Sequence, residues 1–306
     1  MNVFLVTSPF QYLCANEARV FFTAKPSCIV VELGDTEIGI KQLKSMIDHT
    51  QWDEVIIIPA KQRAMITPKV IKKIAKLCQQ YDSPLDTFYF GEYNGWRTKI
   101  LMRNLPFDRY VYFDDGTLTL NEYSQLIVPK KTYYRPRWLQ DNLLRIQGCQ
   151  PAGHLPHSDK LQIFTLFDLP PSDVTIHRNH FTELRQSLRL DELYSAKAPV
   201  GFIGQGCIGE QGHTSLSDYL QKVRRVAQQT SNGVIYFPHR NESSKVTEQV
   251  KKVTNLKYHC SQAPLELELY QQNICLSKLV GMFSTAMYTL SMIYKEIPIE
   301  SIDNDV

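Results

Sequence analysis

Four places in the chain set reactive side chains directly behind a short apolar run. VYFDDGT (111–117) ends on two adjacent carboxylates, Asp114 and Asp115, followed by Gly116. IYFPHR (235–240) ends on an imidazole and a guanidinium, His239 and Arg240. GFIGQGCIGE runs into the glycine-rich turn Gly204-Gln205-Gly206, and GMFSTA into two hydroxyls, Ser284 and Thr285, that open a helix. Adjacent carboxylates can hold a metal, or one can raise the pKa of the other and make it a general base. A histidine with an arginine beside it can protonate or hydrogen-bond a phosphate leaving group. Hydroxyls at a helix start accompany N–H groups that face an anion. The glycine turn has no G-x-x-x-x-G-K-[ST] pattern, so it is not a P-loop, and as a dinucleotide fingerprint it is weak. Each cluster also has a plain structural reading: a strand-to-turn junction with Gly116 at positive φ, a capping imidazole, an N-cap. Taken singly, they leave both readings open.

These residues need a scaffold that carries strand ends to one place. VFLVT (3–7), CIVVEL (28–33), EVIIIP (54–59), DTFYFGE (86–92) and RYVYFDD (109–115) read as strands, with amphipathic segments between them. SPFQYLCANEARVFF reads as a helix with Ser8 at the N-cap and Pro9 at the first helical position. PKVIKKIAKLCQQY reads as another, its lysines Lys69, Lys72, Lys73 and Lys76 on a solvated face. From about 129 to 195 the pattern becomes irregular and proline-rich. A second series then follows: PVGFIGQ, LSDYLQKVRRVAQQ, GVIYFPHR, LELELYQQN, CLSKLVGMF and STAMYTLSMIY. Strands alternating with helices at this pitch imply parallel sheets with helices on both faces. The expectation is an α/β protein of two Rossmann-like domains, 1–155 and 156–306, facing each other across a cleft. In such sheets ligands bind beyond the carboxyl ends of the strands, where the four clusters fall.

Composition narrows the function. The 306 residues carry a formal charge of +3, with 43% hydrophobic and 21% charged residues, an ordinary globular balance. That charge is too small to argue for nucleic acid. The lysine cluster leaves room for weak attraction to an anionic membrane surface. Seven scattered cysteines without C-x-x-C argue against a disulfide framework or zinc site and for a reducing cytoplasm. MNVFLVTSPFQYL reads as a first strand rather than a signal peptide, and no run reaches the ~18 apolar residues of a membrane span.

In order, the clusters resemble the motifs of bacterial sialyltransferases and polysialyltransferases of the two-Rossmann (GT-B) type, most nearly glycosyltransferase family 52, the lipooligosaccharide sialyltransferases. These families share a D/E-D/E-G motif, a histidine–proline motif and a Ser-Ser/Thr motif, matched here by Asp114-Asp115-Gly116, Pro238-His239-Arg240 and Ser284-Thr285. SPFQYLCANEA is similar to the opening loop and helix of family 52, which puts Ser8 and Gln11 on the acceptor or sugar side, where the resemblance also puts Gly116 of the acidic motif. Here His239 follows its proline, whereas the usual motif is His-Pro.

The resemblance implies an inverting, metal-independent transfer of sialic acid, or a related nonulosonate, from a CMP-activated donor to an oligosaccharide of a bacterial lipooligosaccharide or capsule. Asp115 would be the general base, with Asp114 holding the loop or sharing the charge. His239 would donate to the CMP phosphate, helped by Ser284 and Thr285. Arg240 would add charge, Glu266 in APLELE would accept the ribose hydroxyls, and the 204–206 turn would meet the cytosine or ribose through its backbone. Family 52 itself implies a base from the second domain, which makes Glu210 and Asp218 alternatives. No cofactor or metal is expected. The location implied is cytoplasmic, compatible with peripheral attachment to the inner membrane and with a homodimer. Three other readings stay open: a transferase using CMP-Kdo or CMP-pseudaminate, a phosphohydrolase with a metal on Asp114 and Asp115 (to which His154 and His157 in HLPH would add little across their proline), and a non-catalytic nucleotide-binding protein.

Overall fold

The computed structural model describes residues 1–188 and 193–302. The chain divides into two compact units, Met1–Glu183 and Leu184–Val306. In the first the elements run β1 (Asn2–Val6), α1 (Pro9–Phe21), β2 (Ser27–Leu33), α2 (Glu37–Met46), β3 (Glu54–Pro59), α3 (Arg63–Gln80), β4 (Thr87–Phe90), α4 (Trp96–Asn104), β5 (Arg109–Phe113), α5 (Leu118–Glu122), α6 (Trp138–Ile146), β6 (Leu161–Thr165) and β7 (Thr175–Arg178). Helix α7 (Thr182–Ser187) follows at the boundary. The second unit comprises β8 (Val200–Ile203), α8 (Leu216–Gln229), β9 (Val234–Phe237), α9 (Ser244–Val250), β10 (Leu256–Tyr258), α10 (Leu265–Gln271), β11 (Lys278–Gly281), α11 (Thr285–Ile293) and β12 (Ile299–Ser301).

All the strand pairings are parallel. The first sheet has seven strands in the order β3-β2-β1-β4-β5-β6-β7, the second five in the order β10-β9-β8-β11-β12. Both are doubly wound. The strand order reverses between β1 and β4 in the first and between β8 and β11 in the second, and these switch points open a crevice at the carboxyl edge. Central strands of such sheets are covered on both faces, so they read as unbroken apolar runs: β1 and β8 are buried at every position. Each unit closes its own core, with Val3, Leu5, Val30 and Phe88 in the first and Val200, Phe202, Tyr219 and Tyr236 in the second.

Local signals work as the residue types dictate. The Ser8 hydroxyl accepts the Gln11 N–H at 3.2 Å and Pro9 opens α1. Two expectations need correcting. The segment 129–195 is not an irregular junction, because it contains α6, β6 and β7. Since β6 pairs with β5 and β7 with β6, the first unit extends to residue 183 rather than 155. Helix α3 starts at Arg63, five residues before Pro68, and runs through that proline. Proline leaves the carbonyl four residues earlier without its helical donor. Here that carbonyl, on Ala64, accepts the Gln147 side-chain amide at 2.9 Å, from the residue just after α6. No helix among the described residues is long and apolar enough to cross a membrane.

Candidate functional site

The second unit gathers its candidates at the switch point. β9, β8 and β11 are adjacent and parallel, so the loops after them leave one edge of the sheet. These loops carry His239, the Gly204–Gly206 turn and Ser284. The turn lies against the histidine: a methyl at Gly206 would sit 2.9 Å from the His239 ring, and one at Gly204 would sit 2.8 Å from the His239 nitrogen and the Phe237 carbonyl. Glycine is therefore needed at both positions for close approach rather than for turn conformation. Beneath them, the Gln205 N–H donates to the Tyr219 hydroxyl (3.3 Å), which is 2.8 Å from the Tyr236 hydroxyl, and Tyr236 donates to Glu242. Tyr258 and Thr247 also donate to Glu242, at 2.9 and 2.8 Å. This chain, buried at Tyr219 and Tyr236, locks the loops after β8 and β9 together, and no motif in the sequence marked it.

His239 is half-buried, and its Nδ1 accepts the Asn241 N–H at 3.1 Å. In the neutral ring the proton is then on Nε2, available to a ligand. Burial, with the Arg240 charge adding to it, holds the imidazole below its ordinary pKa. Arg240 is exposed and close enough to Glu266 to pull that carboxyl down, while burial, the larger influence, pushes it up. Ser284 caps α11, accepting the Met287 N–H at 3.4 Å, and Thr285 opens the helix. Glu268, two residues from Glu266, is fully buried and accepts from His259 (2.6 Å) and from the Ala263 N–H (2.7 Å). It is a loop anchor that the pattern LELEL did not distinguish from its neighbour.

The two alternative bases have other surroundings. Asp218 is exposed in the first turn of α8, its N–H capped by Ser215 at 3.2 Å, where a carboxylate suits the helix dipole. Glu210 is exposed beside Cys207 and His213, one ligand atom from each lying within 4.8 Å of the others. The Glu210 carboxylate pushes the Cys207 thiol up, so this trio presents a thiol rather than a ready thiolate.

In the first unit the acidic pair separates into two environments. Asp114 is fully buried, accepting the Thr165 hydroxyl at 2.6 Å and the Leu166 N–H at 2.7 Å. It ties the end of β5 to the end of β6. Burial pushes its pKa up to about 7 against those hydrogen bonds. The raised pKa thus comes mainly from desolvation rather than from the neighbouring charge, and it falls on the carboxyl without access to solvent. Asp115 is partly exposed, its N–H donating to Thr119 at 3.1 Å, and Gly116 has φ 65°.

Because Asp114 takes up its proton more readily folded than unfolded (~4 when unfolded), the folded state binds more protons between these values. Its stabilising contribution is full below about pH 4 and is lost as the pH rises to about 7, a change of roughly 4 kcal/mol. Asp114→Asn is expected to flatten the fall of Tm between pH 4 and 7. An unchanged slope in thermal melts would overturn this assignment.

The first switch point, between β1 and β4, brings Gln11, placed on the acceptor side by the resemblance, together with residues the sequence reading passed over. A recess there is lined by Thr7, Gln11, Glu32, Arg63, Glu92 and Arg97. Thr7 donates to Glu92 at 3.0 Å, and Gln11 accepts the Thr7 N–H at 2.8 Å. Arg97 pairs with the buried Glu32, and Arg63 approaches Glu32 at 3.5 Å. Gln11 is fully buried, and its Nε2 has no hydrogen-bond partner within the protein. The signal that could have found Glu92 is its place in DTFYFGE, directly after a strand. The two histidines of HLPH go separate ways: His154 stacks on Tyr134 with centroids 3.9 Å apart, and His157 lies 3.0 Å from the Tyr93 hydroxyl.

No protein-family model matches the sequence, and no curated protein matches it. Solved structures do. A UDP-GlcNAc 2-epimerase from Methanocaldococcus jannaschii is similar with a TM-score of 0.52 at 10% identity, over 100% of this chain and 85% of that one. The GT-B domain of a sialyltransferase from Photobacterium damselae is similar with a TM-score of 0.51, also at 10% identity, over 94% of this chain and 87% of that one. At such identity these likenesses establish the fold: two parallel-sheet α/β domains of the GT-B kind.

Proposed function

We propose that this chain is an inverting sialyltransferase, moving sialic acid or a related nonulosonate from a CMP-activated donor to a bacterial lipooligosaccharide or capsule glycan. The observation that carries this reading is the convergence, at the switch point of the second sheet, of the glycine turn on His239, with the Ser284-capped helix on the next strand. Such a set suits a nucleotide phosphate: a neutral imidazole with its proton on Nε2, a cation in Arg240, and the N–H groups of a helix start. His239 donates to the departing phosphate, Ser284 and Thr285 bind its oxygens, and Glu266 accepts the ribose hydroxyls. The 204–206 turn admits the nucleoside.

In the first unit Asp115 takes the proton of the acceptor hydroxyl, and Asp114 positions it by fastening the end of β5. Gln11 Nε2 and Glu92 offer a donor and an acceptor to an acceptor sugar, whose hydroxyls are both. CMP phosphate is a good leaving group, so groups that stabilise charge suffice and no metal is needed. We assign the reaction to the cytoplasm.

The experiment is a donor screen in excess EDTA, with CMP-Neu5Ac, CMP-Kdo and UDP-sugars in parallel and nucleotide release as the readout. CMP released from the nonulosonate donor, slowly without acceptor, is the expected result. Turnover confined to UDP-sugars, or abolished by EDTA, would refute the reading.

A further inference from the structure

Helix α6 is inside out for a surface helix. At about 100° per residue, Trp138, Leu139, Leu143 and Ile146 share one face, and that face points to solvent: they are 76%, 69%, 40% and 81% exposed. The opposite side is seated by Leu144, which is fully buried. The helix is not loosely attached. Gln147 at its end donates to the Ala64 carbonyl that Pro68 leaves vacant, and to the Leu143 carbonyl, both at 2.9 Å. At its start the Arg137 N–H is held by Asp141 at 3.1 Å. A fixed helix carrying an outward indole and three branched aliphatic side chains is a surface built for an apolar environment.

Its surroundings are cationic. The segment 130–147 contains Lys131, Arg135, Arg137 and Arg145 against a single acid, Asp141, besides Lys130, which is paired with Asp173 at 2.8 Å. Helix α3, joined to α6 through Gln147, exposes Lys69, Lys72, Lys73 and Lys76. The Lys72 charge is felt at Cys149, just past α6, where it opposes the rise that burial gives the thiol. On a chain whose formal charge is only +3, this concentrates positive charge beside the apolar stripe.

We propose that α6 docks this protein onto an anionic lipid bilayer, with the Trp138–Ile146 stripe in the headgroup–acyl boundary and the flanking arginines and lysines among the lipid phosphates. Charge complementarity selects this occupant. A second copy pairing through the same stripe would bring two cationic surrounds together, a repulsion that an anionic surface turns into attraction. The inference rests on α3 and α6 alone and stands whether or not the chain is a transferase.

The test uses the full chain and a built-in reporter. Of the three tryptophans, Trp52 and Trp96 are each 4% exposed, so an emission shift on adding vesicles reports Trp138. With vesicles of phosphatidylglycerol and phosphatidylcholine, the expected results are a blue shift and co-sedimentation. Both should weaken in phosphatidylcholine alone and at 0.5 M salt, about where the Debye length becomes a few ångströms. Leu139→Ser with Ile146→Ser should lower vesicle affinity tenfold or more while leaving the Tm unchanged, because both side chains are exposed. Three outcomes would overturn the proposal: no shift and no co-sedimentation with anionic vesicles, equal binding by the double variant, or a blue shift that follows protein concentration without lipid, which would mark the stripe as a contact between copies.

Discussion

Replacing His239 with alanine is expected to remove most transfer activity, lowering kcat by roughly a hundredfold or more, the scale of a lost general acid. Burial and Arg240 hold the imidazole below its ordinary pKa without ligand, so in the proposed mechanism it would enter the reaction neutral and gain its charge when a phosphate arrives. The sign follows: a nearby anion stabilises imidazolium, so the pKa rises on CMP binding, and kcat should fall as the pH passes the raised value. NMR titration of the ring with and without CMP measures this directly. Because the ring packs on the Gly206 turn, alanine can also loosen the loop, and His239→Gln serves as the second variant, keeping bulk and a donor without the titration. A histidine that merely caps β9 predicts lost stability with full activity per folded molecule. Full specific activity in both variants would sink the mechanism.

Asp115→Asn is the second large effect, an expected loss of about a hundredfold or more in kcat with little change in CMP affinity. The two carboxyls of the pair should behave differently. Asp115 is partly exposed beside the Gly116 turn, whereas Asp114 is sealed between β5 and β6. Removing the Asp115 charge should therefore show chiefly in the rate. Removing the Asp114 charge should change the pH dependence of stability and reach the rate only through the position of Asp115. Kinetics of single-residue variants, with calorimetric CMP titrations, separate these effects. Near-wild-type turnover by Asp115→Asn would move the base to Glu210, Asp218 or Glu92, and the same substitution at each would identify it.

Much of the scaffold was legible because its signals are local. Ser8 followed by Pro9 starts a helix in any context that lets one form, and unbroken apolar runs such as VFLV mark strands covered on both faces. Parallel strands share a direction, so residues just after them must lie along one edge, and the strand-end clusters could be read from one dimension.

What the tertiary structure decided depends on partners far along the chain. Asp114 and Asp115 are chemically identical, and only Thr165 and Leu166, more than fifty residues away, make one buried and leave the other partly exposed. Glu266 and Glu268 divide in the same way, through His259 and the Ala263 N–H. Pro68 breaks a helix by local rules, yet α3 continues because Gln147 satisfies the vacated carbonyl. The strands β6 and β7 are short and set among prolines, so their membership of the first sheet comes from pairing rather than pattern. Helix α6 has an apolar face that by itself would be assigned to a core, and only the packing of Leu144 shows that this face points outward. A sequence sets which side chains share an edge or a face. Burial is a property of what packs against that edge or face, and it is burial that sets pKa values, access and the face left for a partner.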